Sequence, residues 1–219
     1  MLSQESPTWY SDAKQYWDNI ESSVEGMLGG YGRLTAIDAL GSNKFIKEFL
    51  ESKKLNNHRA CDCGAGIGRV SEVFLLKNFQ TVDLVEQTEK FLVKAKELFV
   101  EKGLDDRVEQ YIPTGLQNFN PEAGRYDLIW CQWVLSHLTD DDLVVFLKRC
   151  KDSLNGGYIG IKENVAEAGI IYDDEDSSCT RSDGLWKSIF EKAGLTLVKE
   201  AKQSAFPNSI YPVRMYLLN

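Results

Sequence analysis

Apolar residues follow two spacings along the chain, and beyond residue 58 these spacings predict strands that alternate with helices. Short apolar runs are typical of buried strands, and apolar residues three or four positions apart are typical of helices that cover a sheet. The predicted strands are Arg59–Cys63, Thr81–Glu86, Val108–Ile112, Tyr126–Cys131, Gly157–Ile161, Leu195–Glu200 and Val213–Leu218. The predicted helices are Ile67–Lys77, Thr88–Glu101, Asp140–Leu154 and Ser182–Ala193, and Gly194 suits a left-handed C-cap of the last one.

Strands that alternate with helices indicate a mostly parallel sheet covered on both faces. The last two strands follow each other without a long helix, which predicts a terminal antiparallel hairpin. We therefore expect an α/β fold with a Rossmann-like, seven-stranded, mostly parallel sheet. Ligands of such sheets bind beyond the carboxyl ends of the strands. The residues of interest therefore follow Cys63, Val85, Ile112, Cys131 and Ile161.

Residues 8–50 have helical rather than strand patterning. Ser11 is a candidate helix cap, and Asn43–Leu50 repeats the helical spacing. Between them lies Gly29–Gly32, a flexible joint that cannot be a helix interior. We expect residues 1–57 to form a helical extension that covers a cofactor and a groove. Residues 58–219 are then the main domain, and the whole chain forms one structural unit.

The charge balance excludes some partners. The chain has 219 residues, with 33 acidic and 25 basic side chains and a formal net charge of −8. A nucleic-acid-binding protein usually carries a basic patch, so we expect no nucleic-acid partner. A negative surface favours the approach of cationic molecules, although solubility alone explains such a charge more often.

Cysteine usage and hydropathy indicate an intracellular protein. The five cysteines do not have the paired spacing of a zinc site or a disulfide framework, so reduced thiols are expected. No run approaches the roughly 18 apolar residues of a membrane span, and MLSQESPTWY at the N-terminus lacks the pattern of a signal peptide. We expect a cytoplasmic protein without membrane contacts, and a mass of 24.8 kDa leaves nuclear entry open.

A glycine-rich turn, Gly64–Gly68, follows the first predicted strand and opens a helix. Gly64 permits a tight turn, Gly66 lets a ligand approach the backbone, and Gly68 allows close helix packing. Glu86 ends the second strand about 20 residues further on, where a carboxylate accepts hydrogen bonds from a ribose diol. The combination indicates an adenosine-type nucleotide, whereas the glycines without Glu86 are also compatible with a plain structural turn.

The spacing of the turn distinguishes between nucleotides. Dinucleotide sites favour G-x-G-x-x-G with a helix N-terminus at a pyrophosphate, and this chain has G-x-G-x-G preceded by Asp62. An acid there would repel a pyrophosphate but not the cationic methionine part of S-adenosylmethionine. The form D-x-G-x-G-x-G resembles the first motif of seven-stranded S-adenosylmethionine-dependent methyltransferases. Arg69 suits the cofactor carboxylate by charge and reach, with a helix-surface arginine as the alternative.

Longer stretches carry a closer resemblance. They are Tyr16–Trp17, Gly26–Gly32, Asp62–Arg69, Gly115–Gln117, Ile129–Trp133, His137–Leu138, Phe146–Cys150, Ile161–Asn164 and Asp173–Ser178. Over these stretches, which extend along nearly the whole chain, it resembles the α-N-terminal protein methyltransferases. Those enzymes methylate the terminal amine of proteins that begin Xaa-Pro-Lys/Arg. The Gly-Gly-Tyr-Gly joint, the Trp-x-Gln-Trp segment and the Asp-Asp-x-Asp-Ser-Ser run are more specific than the glycine motif.

The resemblance implies S-adenosylmethionine as cofactor, S-adenosylhomocysteine as product, and a set of site residues. The implied cofactor-binding residues are Trp17, Gly64, Gly66, Arg69, Glu86, Leu116, Gln117 and Gln132; many relatives carry Asp in place of Glu86. The implied substrate-binding residues are Tyr16, Leu28, Trp133, Asn164, Asp173, Ser178 and Tyr211, and the catalytic ones are His137 and Asp176. The partners would be N-terminal segments of Xaa-Pro-Lys/Arg proteins, such as ribosomal or chromatin proteins, bound by a monomer.

The implied reaction is an in-line displacement by a neutral amine. An α-amino group has a pKa near 8, against about 10.4 for lysine. A part of it is therefore already neutral at pH 7, and a strong base is not required to deprotonate it. His137 follows the fourth predicted strand, and its ordinary pKa near 6.5 suits proton acceptance. Asp176 would receive or orient the proton, but a carboxylate also raises the pKa of the amine, so Asp176 could instead bind the ammonium form. Sequence leaves this division of roles open.

Two other functions stay open beside peptide methylation. They are a small-molecule methyltransferase and a non-catalytic S-adenosylmethionine-binding module. An acidic groove without a long apolar lid favours a peptide, and the presence of both His137 and Asp176 argues against a catalytically silent protein. The run Asp173–Asp176 lacks the glycine and distal glutamate of a calcium-binding loop, so no metal site is expected.

Overall fold

A computed structural model describes residue 4 and residues 6–219, and a central sheet organises this part of the chain. In chain order the strands are β1 (Arg59–Cys63), β2 (Thr81–Glu86), β3 (Val108–Pro113), β4 (Tyr126–Gln132), β5 (Leu154–Asn164), β6 (Ile170–Asp173), β7 (Ser178–Arg181), β8 (Leu197–Lys202) and β9 (Val213–Leu218). Residues 1–3 and 5, which belong to the predicted extension and to the segment MLSQESPTWY, lie outside the described residues.

Strands other than β6 and β7 form a seven-stranded sheet in the order β3–β2–β1–β4–β5–β9–β8. The pairs from β3 to β5 are parallel, whereas β9 is antiparallel to both β5 and β8. The predicted fold class and the terminal antiparallel hairpin are therefore confirmed. The order reverses between β1 and β4, and the crevice at such a point is where open α/β sheets bind ligands.

Helices cover both faces of this sheet. They are α1 (Trp9–Asn19), α2 (Val24–Met27), α3 (Thr35–Glu51), α4 (Leu76–Asn78), α5 (Glu89–Glu101), α6 (Asp140–Asp152) and α7 (Asp183–Lys192). A π-helical turn, Ser71–Leu75, leads into α4, and a 3₁₀ turn, Leu135–His137, follows β4. Among the described residues, no helix combines the length and apolarity needed to cross a bilayer.

Several predicted element boundaries differ from the structure, including the three that follow. The helix expected from Ile67 begins only after Gly68, because the φ of +80° at Gly68 does not fit a right-handed helix. Ser11 does not cap α1; Thr8 is the N-cap residue, and the Ser11 hydroxyl donates to its carbonyl at 2.9 Å. Helix α6 ends at Asp152, so β5 begins earlier than expected.

The hairpin of β6 and β7 was not predicted from sequence. Its strands are only four residues long; the apolar run of β6 has three residues, and β7 is mostly polar, so neither has the longer apolar run of a central strand. The acidic run Asp173–Asp176 begins at the last residue of β6 and continues through the turn. The hairpin therefore holds a cluster of negative charge beside the main sheet.

Helix α3 shares the core of the sheet. Phe45, Ile46 and Phe49 of this helix are buried in one cluster with Trp130 of β4 and Met215 of β9. Burial of each such side chain is worth about 1.5–3 kcal/mol. The predicted boundary at residue 57 thus separates chain segments that contribute to a common core.

Candidate active site

The predicted cofactor residues line one cavity at the carboxyl ends of the strands. They are Trp17, Gly64, Gly66, Arg69, Glu86, Leu116, Gln117 and Gln132. The glycine turn follows β1, Glu86 ends β2, and Gln132 ends β4. Trp17 reaches the same cavity from α1. The geometry thus brings together residues that are up to 115 positions apart in sequence order, from Trp17 to Gln132.

The glycine turn is packed so closely that a side chain at Gly64 or Gly66 would collide with its neighbours. Gly64 and Gly66 have φ values of +73° and +54°, a region that favours glycine. A Cβ atom on Gly66 would lie 2.6 Å from the sulfur of Met27, and one on Gly64 would collide with the side chain of Val134. The turn therefore presents bare backbone to the cavity, which is the cradle that a bound nucleoside requires.

Glu86 ties the glycine turn to the end of β2. Its carboxylate accepts hydrogen bonds from the backbone N–H groups of Gly66 at 3.0 Å and Thr88 at 2.9 Å. Burial raises the pKa of Glu86, while these N–H donors oppose the rise. Each carboxylate oxygen can accept more than one hydrogen bond, so the group remains able to bind ribose hydroxyls. The cavity therefore fits an adenosine nucleotide.

Arg69 has a buried partner that no sequence pattern indicated. Its guanidinium lies 2.7 Å from the carboxylate of Asp38 on α3, which also accepts hydrogen bonds from Gln132 at 2.8 Å. Lys162 of β5 approaches the same carboxylate at 2.5 Å. Burial raises the pKa of Asp38, but the Lys162 and Arg69 cations outweigh burial and hold it below its usual range. Asp38 thus orients two of the predicted cofactor residues, Arg69 and Gln132.

Asp62 does not line the cavity. Its carboxylate is buried and accepts a hydrogen bond from the Ser71 hydroxyl at 2.6 Å. Burial raises the pKa of Asp62 to about 6. The residue therefore anchors the π-helical turn, and its expected effect on a bound pyrophosphate stays a prediction.

A second, larger cavity of about 870 Å³ lies beside the first and is called here the groove. The predicted substrate-binding residues line it: Tyr16, Leu28, Trp133, Asn164, Asp173, Ser178 and Tyr211, together with His137 and Asp176. Five residues border both cavities: Trp17, Met27, Leu28, Trp133 and His137. The groove and the nucleotide cavity therefore meet at these side chains.

The acidic turn of the β6–β7 hairpin faces the groove. Burial raises the pKa of Tyr16, and the charges of Glu175, Asp176 and Asp173 raise it further. The three carboxylates thus create a negative potential where Tyr16 lines the groove. Such a potential favours cationic over anionic ligands.

The hydrogen bonds of His137 define its tautomer. The Trp17 indole N–H lies 3.1 Å from Nε2, and an indole nitrogen only donates, so Nε2 accepts. Nδ1 lies 3.3 Å from the carbonyl oxygen of Ser177 and therefore carries the hydrogen. Burial lowers the pKa of His137, although the charge of Asp176 opposes this. His137 is thus a neutral imidazole whose acceptor nitrogen is already engaged.

Two residues that line the groove each have a buried polar atom without a hydrogen-bond partner among the described residues. One is Oδ1 of Asp176, and the other is the indole Nε1 of Trp133. Trp133 has a φ of +53°, and its backbone N–H donates to the carbonyl of Lys162 at 3.1 Å. A buried unpaired polar atom is costly unless a ligand satisfies it. The groove therefore offers an acceptor at Asp176 and a donor at Trp133.

The doubly wound sheet, the glycine cradle and the acid at the end of β2 together define an S-adenosylmethionine-dependent methyltransferase. A family model described as "AdoMet dependent proline di-methyltransferase" matches residues 5–219, and the chain belongs to this family.

Curated relatives and solved structures agree with this assignment. The "N-terminal Xaa-Pro-Lys N-methyltransferase 1" of Danio rerio is 45% identical over 99% of this chain and 98% of its own length. The protein of the same name from Homo sapiens is 46% identical over 98% and 97%. A SAM-dependent methyltransferase structure from Leishmania major has a TM-score of 0.90 and 36% identity, and the match covers 100% of this chain and 87% of that one.

Proposed function

We propose that this enzyme transfers methyl groups from S-adenosylmethionine to the N-terminal α-amino group of proteins that begin Xaa-Pro-Lys/Arg. The names of the curated relatives support this substrate class. The single observation that carries the proposal is the buried Oδ1 of Asp176 in the groove, which has no hydrogen-bond partner in the described part of the chain. An unpaired carboxylate oxygen is a fitting acceptor for a terminal amine.

When bound, the cofactor supplies an electrophilic methyl carbon on a positively charged sulfur. The glycine turn and Glu86 would hold its nucleoside part, while Arg69 and Gln132, kept in place by Asp38, border the remaining cavity. The enzyme's own contribution is to align the amine with that carbon, and positioning of this kind supplies several kcal/mol of rate enhancement.

Asp176 is the better candidate for the acceptor of the amine hydrogen. Its Oδ1 is unpartnered among the described residues, whereas Nε2 of His137 already accepts from Trp17. An α-amino group with a pKa near 8 is partly neutral at pH 7, so hydrogen bonding to Asp176 can orient its lone pair without a strong base. His137 then fixes Trp17 at the border between the two cavities.

The groove matches the remaining features of an Xaa-Pro-Lys/Arg segment. The side-chain amide of Asn164 both donates and accepts, which suits a peptide backbone. The proline lowers the ordering cost of binding because its φ is preset, and Trp133 offers an aromatic surface for it. The cationic third residue fits the negative potential of Asp173 and its neighbours.

The proposal also covers the cellular substrates, the oligomeric state and the compartment of the protein. We take ribosomal and chromatin proteins with this N-terminal sequence as substrates, a monomer as the active form, and cytoplasm and nucleus as its compartments. The buried state of all five cysteines, each a free thiol in the described structure, supports a reducing compartment. Sedimentation equilibrium would report the oligomeric state, and imaging of a tagged protein would report the compartments.

Mass spectrometry of peptide products tests the function. A free-amine Ala-Pro-Lys peptide incubated with S-adenosylmethionine should gain methyl groups on its terminal nitrogen. The same peptide with an acetylated N-terminus should gain none, and replacement of its lysine by glutamate should reduce methylation. Equal labelling of the free and acetylated peptides, or labelling of the lysine side chain, would reject the proposal.

A further inference from the structure

The short turn that carries His137 is held at both ends by buried charged side chains that come from other strands. The turn consists of Val134 and the 3₁₀ segment Leu135–His137, directly after β4. Glu163 lies near the end of β5 and Arg181 at the end of β7. Glu163 is 2% exposed and Arg181 is fully buried. Neither residue was among the predicted catalytic or binding residues.

Glu163 binds the N–H end of the turn. Its Oε1 accepts hydrogen bonds from the backbone N–H groups of Val134 at 2.9 Å and Leu135 at 2.8 Å. These are the N–H groups at the start of the turn, which have no carbonyl partner within it. Glu163 thereby fixes where the chain leaves β4.

Arg181 binds the carbonyl end of the same turn. Its guanidinium donates to the carbonyl oxygens of Leu135 at 3.1 Å and Leu138 at 2.6 Å. A further donation from Nε reaches the Asp140 carboxylate at 2.9 Å, and the guanidinium packs 5.3 Å from the Trp186 ring centroid. The guanidinium is thus itself held rigidly, so it restrains the carbonyls that it binds.

The two side chains complement the turn electrostatically. N–H groups at the start of a helical turn carry partial positive charge, and carbonyls at its end carry partial negative charge. An acidic oxygen lies at the first end and a guanidinium at the second. A third bond, from the Trp9 indole N–H to the carbonyl of His137 at 2.6 Å, holds the same backbone from α1.

We infer that Glu163 and Arg181 are positioning residues for methyl transfer, which fix the backbone of the His137 turn between the nucleotide cavity and the groove. The inference rests on the proposed function, since it concerns the same site. Displacement of this turn would move the imidazole away from the Trp17 indole and from Ser177, the two groups that define its tautomer. Active-site groups tolerate displacements of only about 0.5 Å before activity falls.

Paired variants separate positioning from other roles. Glu163→Ala removes the acceptor of both N–H groups, whereas Glu163→Gln retains an oxygen that can accept them. We expect Glu163→Ala to lower kcat at least about tenfold, because misalignment of the groups that position the substrate costs about this much. Glu163→Gln should stay within about threefold of the parent, and the cofactor Kd should change little in either variant.

The chain offers matched controls remote from the site. Asp127 is also buried, and its Oδ2 accepts hydrogen bonds from the backbone N–H groups of His58 at 2.8 Å and Arg59 at 3.0 Å. Arg107 donates to the carbonyls of Leu76 and Phe79 at 2.9 Å and 2.6 Å. Asp127→Ala and Arg107→Lys should therefore lower the melting temperature as Glu163→Ala and Arg181→Lys do, while leaving kcat nearly unchanged.

Imidazole NMR reports the turn without any turnover. The chain has two histidines, so the exposed ring of His58 is an internal reference for His137. We expect the His137 signals to shift or broaden in Glu163→Ala and Arg181→Lys and to keep their parent positions in Glu163→Gln. This readout stays valid if the parent enzyme does not methylate the peptide, so failure of the proposed function is distinguishable from failure of the inference.

Four outcomes would overturn the inference. Equal loss of kcat in Glu163→Gln and Glu163→Ala would assign Glu163 a role in proton transfer. A raised KM for peptide with unchanged kcat would make it a substrate-binding group. Equal loss of kcat in the remote controls would reduce the effect to general stability. Unshifted His137 signals in Glu163→Ala would show that the turn does not depend on Glu163; this variant alone decides the matter if Arg181→Lys does not fold.

Discussion

The indole N–H of Trp17 is directed at Nε2 of His137 across 3.1 Å, and the two rings meet edge to face with centroids 5.9 Å apart. This contact joins two of the residues that border both the nucleotide cavity and the groove. It also occupies the nitrogen through which His137 would accept a proton. This contact supports the proposal that Asp176, rather than His137, accepts the hydrogen of the substrate amine.

Trp17→Phe should raise the pKa of His137. A donor to the neutral nitrogen stabilises the uncharged ring, and Phe retains most of the aromatic bulk while lacking the N–H. A titration of the imidazole NMR signals measures the change, with His58 as reference in the same spectrum. An unchanged or lowered pKa would contradict the hydrogen bond assigned here.

Gly66→Ala should weaken cofactor binding at least about tenfold, because the added Cβ would crowd the point where the backbone approaches the cofactor closely. Its Cβ would lie 2.6 Å from the sulfur of Met27. Gly103→Ala is the matched control, because Gly103 has a similar φ of +65° but no atom within 4 Å of the added Cβ. Isothermal titration with S-adenosylhomocysteine separates the two. Equal affinities for the two variants would reject the cradle.

Asp38→Asn should destabilise the fold and weaken cofactor binding together. It leaves the buried cations of Arg69 and Lys162 without their counter-charge, and loss of one partner from a buried pair costs about 3–5 kcal/mol. Asp18→Asn, in the exposed pair with Lys14, should cost less than about 1 kcal/mol. Urea unfolding measures the free energy of unfolding of both variants. Similar, small losses of this free energy would contradict a stabilising role of the buried cluster of Asp38, Arg69 and Lys162.

Glu163 should make stability depend on pH. Burial raises its pKa from the ordinary 4.5 to about 7, although the N–H groups of Leu135 and Val134 and the charge of Arg181 oppose the rise. The folded state therefore binds this proton more tightly than the unfolded chain. Its stabilising contribution is complete below the unfolded pKa and disappears as pH rises through the folded one.

Glu163→Gln should remove this dependence. Between about pH 5 and 7 the free energy of unfolding should fall less in the variant than in the parent, by on the order of 2 kcal/mol. Asp62 has a pKa raised to about 6 by burial, but it titrates in both proteins and cancels from the comparison. The exposed Glu167 supplies the control Glu167→Gln. Parallel curves for parent and Glu163→Gln would contradict the raised pKa.

Local features of the site were predictable from sequence. The glycine turn and Glu86 lie at the ends of strands whose apolar runs are strong, so parallel sheet topology alone brings them together. The residues that the family resemblance implied for the groove line one cavity. Their individual roles stay predictions.

Features built from distant residues were not predictable. Asp38 meets Arg69 and Lys162 across 31 and 124 positions of sequence, and no local pattern encodes such a cluster. The contact of Asp62 with Ser71 was not predicted either: alternation along β1 directs the Asp62 side chain to the face opposite that of Cys61 and Cys63, where Ser71 binds it. The apolar run of β6 is only three residues long, and β7 is polar, so the β6–β7 hairpin was missed.

The central claim is that the free oxygen of Asp176 receives the terminal amine of the substrate. Asp176→Asn tests it most directly, with the neighbouring exposed Asp174→Asn as control. Turnover of a free-amine Ala-Pro-Lys peptide should fall on the order of a hundredfold in Asp176→Asn, with the Kd for S-adenosylhomocysteine unchanged, and should stay near the parent value in Asp174→Asn. Equal turnover in the two variants would contradict the account.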